Sequence, residues 1–293
     1  MELRQLEYLV AVVDDGSFTR AAGRLHVAQP GISAQIKKLE TELGETLLDR
    51  SGRTVVPTDV GAAVLGHART ALAAVEGVRA AVAAHAGLLT GRVAVGVVGS
   101  GVPPELPDLL AAFARAHPAV ELTLTEGPGQ DRLAALLDGR CDAAIVGIVG
   151  DPPAGVGSVM LRDEPVVAAV AADDPLAGRA AVSLSALAGR PLIALPPGTG
   201  LRAGLDAALD RLGLTPRIAY EAATPVLLGE LAARGLGVAL VPASVVPFVA
   251  GLVAVPLTGP PLRGRIDLAW PSTRPLGPAG RALVAHLRAG LVP

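Results

Sequence analysis

Aromatic side chains make up only 2% of the 293 residues, as three Phe, two Tyr and one Trp. A core of packed rings is therefore excluded, and burial must rest on Ala, Val and Leu. Cysteine occurs once, at Cys141, which excludes a disulfide within the chain. Glu76, Arg79 and His85 interrupt the Ala/Val-rich stretches, so no segment reads as a membrane span and no membrane partner is expected. The start, Met1 to Tyr8, lacks a basic cluster followed by an apolar run; no signal peptide and a cytoplasmic location are the expectation. Lysine is confined to Lys37 and Lys38. With abundant Ala, Gly and Pro, that bias suggests a GC-rich bacterial genome. His26, His67, His85, His117 and His286 show no metal-ligand spacing, so neither a metal nor a cofactor is expected. There is no G-x-S-x-G elbow, P-loop or paired acid–base set, and an enzyme is not expected.

What is present is a chain long enough for more than one domain. With 51% hydrophobic and 18% charged residues it is no disordered polymer. Net charge is −2, and the first 65 residues hold seven Lys/Arg against nine Asp/Glu. Bulk electrostatics therefore gives no sign of a nucleic-acid partner. Any such role must come from where the charges sit.

The pattern divides the chain into three parts, 1–57, 58–90 and 91–293. In the first, Leu3, Leu6, Leu9, Val10 and Val13 keep helical spacing up to Asp15-Gly16. Ser17 is a candidate N-cap for a second helix, Phe18 to Leu25, and a turn through His26 leads to a third, Gln29 to about Leu43. Leu47–Arg50 and Arg53–Val56 flank Ser51-Gly52, the pattern of a tight β-hairpin. Residues 58–89 read as one helix about 45 Å long, with Thr58 as its cap. Val64, Ala71, Val75, Val78, Val82 and Leu89 form an apolar seam with His67 and His85. The seam suits packing against a second copy, or else against the chain's own following domain. From Gly91 onward β-like runs (93–97, 120–125, 142–146, 192–195, 218–221, 238–241 and 266–270) alternate with helical ones (105–116, 130–138, 200–212, 225–234 and 276–290). That alternation predicts an α/β fold with mostly parallel sheets, in two lobes. Lobe I would span about 91–161 and 267–293, and lobe II about 162–266.

The third helix carries the most information. Ile32, Ile36 and Leu39 form a buried face, while Pro30, Ala34 and Lys37 point the other way with Ser33 on the flank. Two short helices joined by a tight turn, the second polar outside, give the helix-turn-helix pattern, whose second helix enters the major groove of DNA. Gln29 can pair with adenine and Ser33 can reach a base edge or a phosphate. Pro30 sits in the first turn, where its missing N–H costs nothing. Lys37, Arg50 and Arg53 would neutralise phosphates, and Thr19 and Arg20 could contact backbone oxygens. Arg50 and Arg53 would lie on a wing. A generic helical hairpin with a solvated face has the same periodicity.

The full string decides between them. Leu3–Val12 (LRQLEYLVAV), Gly16–Ala22 (GSFTRAA), Val27–Pro30 (VAQP), Ser33–Glu40 (S-x-Q-I-x-x-LE), Leu43–Leu47 and Arg50–Gly61 follow one another without gaps. This resembles the LysR family of transcriptional regulators. Ala34 stands where many relatives carry arginine, Leu48 replaces the usual phenylalanine and Pro57 the usual leucine, while Gly31 lowers helix propensity. The resemblance implies a multidomain α and α/β chain: a winged helix-turn-helix, a linker helix, and a two-lobed effector domain like periplasmic binding proteins. It implies a pseudo-palindromic promoter site, a dimer or tetramer, and a small-molecule effector between the lobes; RNA polymerase stays open as a protein partner. Effector binding would change lobe closure and the spacing of the DNA heads. The alternative is a small-molecule binding protein that has kept a head without DNA-binding activity.

Within the implied cleft, Ser100-Gly101, Gly198-Thr199 and Ala223-Thr224 each follow a strand and precede a helix, where backbone N–H groups can hold an anion. Ordinary N-capping explains Thr199 and Thr224 as well. Pro128 stands where several relatives have a hydroxyl residue; with Gly147, Ile148 and Val149 it implies a less polar cleft, suited to a small, partly apolar acid. Cys141 precedes a strand and reads as a buried structural cysteine, there being no second thiol to resolve a sulfenate within the chain.

Overall fold

The computed structural model describes residues 1–85, 89–99 and 101–292, with the backbone alone for 79–81 and 83–85. Three helices open the chain: α1 (Leu3–Asp15), α2 (Phe18–Arg24) and α3 (Gln29–Leu43). Ser17 caps α2 by accepting the Arg20 N–H, and Gly16 and Gly44 close α1 and α3. Leu6, Leu9 and Val12 of α1 meet Ile32, Ile36 and Leu39 of α3 in one apolar core. Two short strands follow, β1 (Leu48–Asp49) and β2 (Val56–Pro57), paired antiparallel. Their connection is six residues, Arg50 to Val55, rather than a tight turn at Ser51-Gly52. The loop is drawn out because Val55 N–H donates to Gly16 O (3.0 Å), tying the wing to the α1–α2 turn.

The long helix α4 (Asp59–His85) starts under the Thr58 hydroxyl, which accepts the Gly61 N–H at 3.0 Å and donates to Thr46 O at 2.7 Å. Its first turns pack on the head: Leu65 and Ala68 are buried there, with Val64, Ala71 and Leu72 against them. Gly61 is required by this packing, since a Cβ at that position would stand 1.9 Å from Leu47 O. The apolar seam therefore divides. Its first residues, Val64 and Ala71, complete the head core, and Leu89 packs into lobe I. Val75, half-buried, belongs to none of these clusters, and Val78 (67% exposed) and Val82 (72%) are the most exposed of the seam's described apolar side chains. His67 is exposed, and the side chain of His85 lies outside the described residues.

Beyond residue 88 the chain forms β3 (Gly91–Val97), α5 (Leu106–Ala116), β4 (Val120–Glu126), α6 (Gly129–Leu137) and β5 (Ala143–Val146), then a strand of 16 residues, β6 (Val156–Ala171). There follow β7 (Val182–Ser183), α7 (Leu184–Leu187), β8 (Pro191–Ala194), α8 (Gly200–Arg211), β9 (Arg217–Glu221), α9 (Pro225–Ala233) and β10 (Val238–Pro242). A 3-10 turn (Ala243–Phe248), β11 (Leu252–Thr258), β12 (Arg263–Pro271) and α10 (Pro278–Leu291) complete the chain. Strands run in the order β4-β3-β5-β12-β6-β10-β8-β9, with β11 joining β6 to β7. The β3, β4, β5 group and the β8, β9, β10 group are each parallel inside, as the alternation predicts. The strands that join them pair antiparallel with their neighbours, which adds a mixed centre to the expected parallel groups.

β6 and β12 are those joining strands. The first part of β6 pairs with β12, from Val156 opposite Pro271 to Pro165 opposite Arg263. From Val166 it pairs with β10 and β11 and is buried to its end. Sequence alternation missed β6 because its first part mixes apolar residues (Val156, Val159, Met160, Leu161) with the charged run Arg162 to Glu164 while its second is continuously apolar, so no single period runs through it. A register shift falls between Ile266 and Asp267, between the two halves. Each half has its own apolar clusters, around Phe113, Ile145 and Leu283 in one and Leu187, Leu205 and Leu240 in the other.

Candidate functional site

The head exposes the residues that the helix-turn-helix pattern selects. Gln29, Pro30 and Lys37 of α3 are exposed and Ser33 is half-buried; Thr19 and Arg20 of α2 are exposed beside them. The N-cap of α3 is Ala28, which supplies no side-chain acceptor; Pro30 has no N–H and Gly31 donates to Ala28 O at 2.9 Å, which leaves the Gln29 N–H to meet an anion there. Arg53 is exposed on the wing loop, with no hydrogen bond or ion pair among the described residues. Arg50 has a different environment. Its guanidinium donates to Glu40 Oε2 at 2.9 Å and lies 5.0 Å from the centre of the Phe18 ring. Glu40, only 6% exposed, also accepts the Leu47 and Leu48 N–H groups at 3.1 and 3.4 Å. Arg50 thus fastens the wing to α3 before it can serve a phosphate.

The turn between α2 and α3 has its own physical cause. Val27 N–H reaches back to Ala22 O (3.0 Å) and His26 N–H to Gly23 O (3.3 Å), the paired bonds of a Schellman C-cap. His26 takes φ +54° there, the position glycine usually fills.

The second site is a cavity of about 630 Å³ between the halves of the α/β region. One wall comes from Val98, Gly99, Gly101, Val102, Glu126 to Gly129 and Gly147; the other from Leu195 to Pro197, Thr199 to Leu201, Ala223 to Val226, Pro242, Ser244, Val245 and Phe248. The joining strands supply the floor, with Arg162, Glu164, Gly264, Arg265 and Ile266. Of the residues picked from sequence, Gly101, Pro128, Gly147, Thr199, Ala223 and Thr224 line this cavity. Gly198 and Ile148 do not. Gly198 O instead accepts the Gln130 N–H at 3.4 Å, and Ile148 is buried with Leu136 and Val156. Ser100 lies outside the described residues. Thr199 and Thr224 act as the N-caps of α8 and α9, accepting from Arg202 and Leu227, and Thr199 also donates to Pro196 O at 3.0 Å.

The charged floor escaped the sequence reading because β6 did. Both oxygens of Glu164 are held by Ser244, through its N–H and its hydroxyl at 2.8 Å each. Arg265 grips Asp267, which is fully buried, with two bonds of 2.6 Å and donates a third to Gly150 O. That carboxylate holds the Arg265 guanidinium above its ordinary pKa, and Ser158 donates to it as well. Arg162 touches only Glu164, at 3.8 Å.

At the cavity rim the two walls meet backbone to backbone. A Cβ on Gly200 would stand 2.8 Å from Gly147 O, so only glycine permits this approach of α8 to the end of β5.

Cys141 is 3% exposed. Burial pushes its thiol up, against the opposing pull of Arg132 and Arg140. Among the described residues no group of three His, Cys, Asp or Glu side chains could hold a metal ion, and no helix is long and apolar enough to cross a membrane.

Comparison with known proteins assigns a family to each of the two parts of the chain. Residues 3–62 match the family described as bacterial regulatory helix-turn-helix protein, lysR family, and residues 86–292 match the LysR substrate binding domain. The chain is 33% identical over 292 residues to the hydrogen peroxide-inducible genes activator of Escherichia coli O6:H1 (strain CFT073), covering 99% of this chain and 95% of that one. Full-length OxyR from Pseudomonas aeruginosa, solved as a cysteine-to-aspartate variant, superposes with a TM-score of 0.73 at 28% identity, covering 98% and 95% of the two chains. Full-length CbnR in complex with its target DNA superposes with a TM-score of 0.58 at 27% identity, covering 99% and 100%. The chain belongs to the LysR family of DNA-binding transcriptional regulators.

Proposed function

We propose that the chain divides its work between a DNA-reading head, residues 1–57, and an effector domain, residues 91–293, joined by the helix of 58–90. Thr19, Arg20, Gln29, Pro30, Ser33, Lys37 and Arg53 meet DNA, with Arg50 bracing the wing; a small molecule in the 630 Å³ cavity controls them. The observation that carries this reading is the exposed polar face of α3 beside an exposed Arg53 that has no ion pair among the described residues, with the opposite face, Ile32, Ile36 and Leu39, buried in the head core. A pseudo-palindromic promoter site fits a dimer or a dimer of dimers, and the bare Val78 and Val82 of α4 support self-association through that helix. The reading assigns no catalytic step, and it places the protein in the cytoplasm with promoter DNA.

A response to peroxide does not follow from the relatives. Cys141 is the only thiol, is buried, and has its thiolate disfavoured, so a dithiol switch within the chain is excluded. Closure of the two lobes around a bound molecule, meeting at Gly147 and Gly200, is the control that this geometry supports. Mapping the sites bound in the source genome, first of all next to the protein's own gene, tests the reading. Recovery of one recurrent two-fold motif is expected; binding scattered without any motif overturns it.

A further inference from the structure

We infer that the cleft selects an organic monocarboxylate with an apolar body, held by Arg162, and rejects dicarboxylates. The inference rests on the cleft being the effector site. It comes from asking which polar groups of the cavity wall are still free. Thr199 accepts from its own helix and donates to Pro196 O, and Thr224 accepts from its own helix, which leaves the Thr224 O–H as an uncharged donor beside the charged groups. Arg265 is taken by Asp267 and Gly150, and both Glu164 oxygens by Ser244.

Two charged groups remain. Arg162 is 43% exposed on the floor, and its one contact, with Glu164, is beyond hydrogen-bond length at 3.8 Å. Its planar fork can take one carboxylate with two parallel bonds. Glu126, on the lobe I wall, is exposed and has no hydrogen bond or ion pair among the described residues. A second carboxylate on the ligand would face either Glu126, a like charge, or apolar wall, where an unpaired charge is costly.

The apolar part of the ligand has its own surface. Phe248 is 78% exposed, and Val226 and Val245 line the same cavity. The volume falls within the range of about 300–1,000 Å³ typical of small-molecule sites, which leaves room for a ring or a short chain beyond the carboxylate. Glu164 fixes this wall to the floor, because its partner Ser244 begins the 3-10 turn that carries Val245 and Phe248. The anion reader and the apolar wall are thereby one rigid unit.

The test is calorimetric titration of the full-length protein with a matched panel. Each apolar body (phenyl, cyclohexyl, straight alkyl) carries in turn one carboxylate, a primary amide, an ammonium group or two carboxylates. Monocarboxylates should bind about tenfold or more tightly than their amides and dicarboxylates. Arg162→Gln should remove that advantage while sparing the amide, and Arg162→Lys should keep part of it. Glu126→Gln should narrow the gap between mono- and dicarboxylates. Amide and carboxylate binding equally, with Arg162→Gln indifferent, would overturn the assignment while leaving the cleft in place. Binding by no member of the panel overturns it as well. Binding that survives Ala223→Trp, which fills the cavity, overturns instead the cleft as the effector site.

Discussion

In the head, the core and the residues proposed to meet DNA come from one short stretch of chain, Leu6 to Leu72. In the cleft, the lining runs from Val98 to Ile266, and its floor exists only because β6 and β12 cross from one lobe to the other. The two regions share one device, a glycine where two backbones nearly touch. In the head it is Gly61 against Leu47; in the cleft it is Gly200 against Gly147. The consequences differ because the neighbours differ. Leu47 is buried inside one cooperative core, whereas Gly147 and Gly200 belong to lobes that two strands connect.

Adding a methyl group to each glycine separates the regions most sharply. Gly61→Ala puts a Cβ 1.9 Å from the Leu47 carbonyl with nowhere to go. It should cost the head roughly 4 kcal/mol or more, at the severe end of single substitutions, and abolish DNA binding, which thermal melting and a gel shift would register together. Gly200→Ala meets Gly147 at 2.8 Å, and the lobes can part to accommodate it. Its melting temperature should stay near that of the parent, while small-angle scattering reports a wider cleft and effector affinity falls. A melting loss as large as that of Gly61→Ala would remove the distinction between a fixed core and a jointed one.

The same contrast explains what the sequence revealed. The helices of the head, their Ser17 and Thr58 caps and the buried face of Ile32, Ile36 and Leu39 were legible because each rests on contacts a few residues apart. The parallel strands of the α/β region were legible as short apolar runs. β6 was not, since the change from mixed to continuously apolar along it marks its passage from one lobe into the other. With it went Arg162 and Glu164, whose roles depend on partners such as Ser244, far along the chain. Arg50 shows the same dependence on distant partners. Its charge and wing position suggest a phosphate contact, and its ion pair with buried Glu40 is set by the fold rather than by neighbours in sequence.

Three further substitutions sharpen the picture of the head. Gln29→Ala should weaken binding to the specific site by about 1–3 kcal/mol and leave random DNA nearly unaffected. Equal losses on both would show that Gln29 reads no base. Arg53→Ala, which removes an exposed guanidinium with no ion pair among the described residues, should weaken binding to all sequences and flatten the salt dependence by about one unit of slope. An unchanged slope would take Arg53 out of the phosphate contacts. Arg50→Ala, by contrast, should lower head stability, since it strips the carboxylate of Glu40 of its cation.

The smallest expected effect lies in the turn itself. His26 holds φ +54° at the C′ position of α2, a conformation that strains any residue with a Cβ. Glycine would relieve that strain but would also gain freedom in the unfolded chain, so the two effects partly cancel. His26→Gly should therefore raise head stability by only about 0.5 kcal/mol. Its exposed ring also faces solvent beside the N-terminus of α3, where a phosphate would come close. If the imidazole contacts that phosphate, the more stable variant binds DNA less tightly. Stability rising with affinity unchanged would assign His26 to the turn alone. It would also mean that the loop between the two helices serves geometry and leaves DNA contact to the helices and the wing.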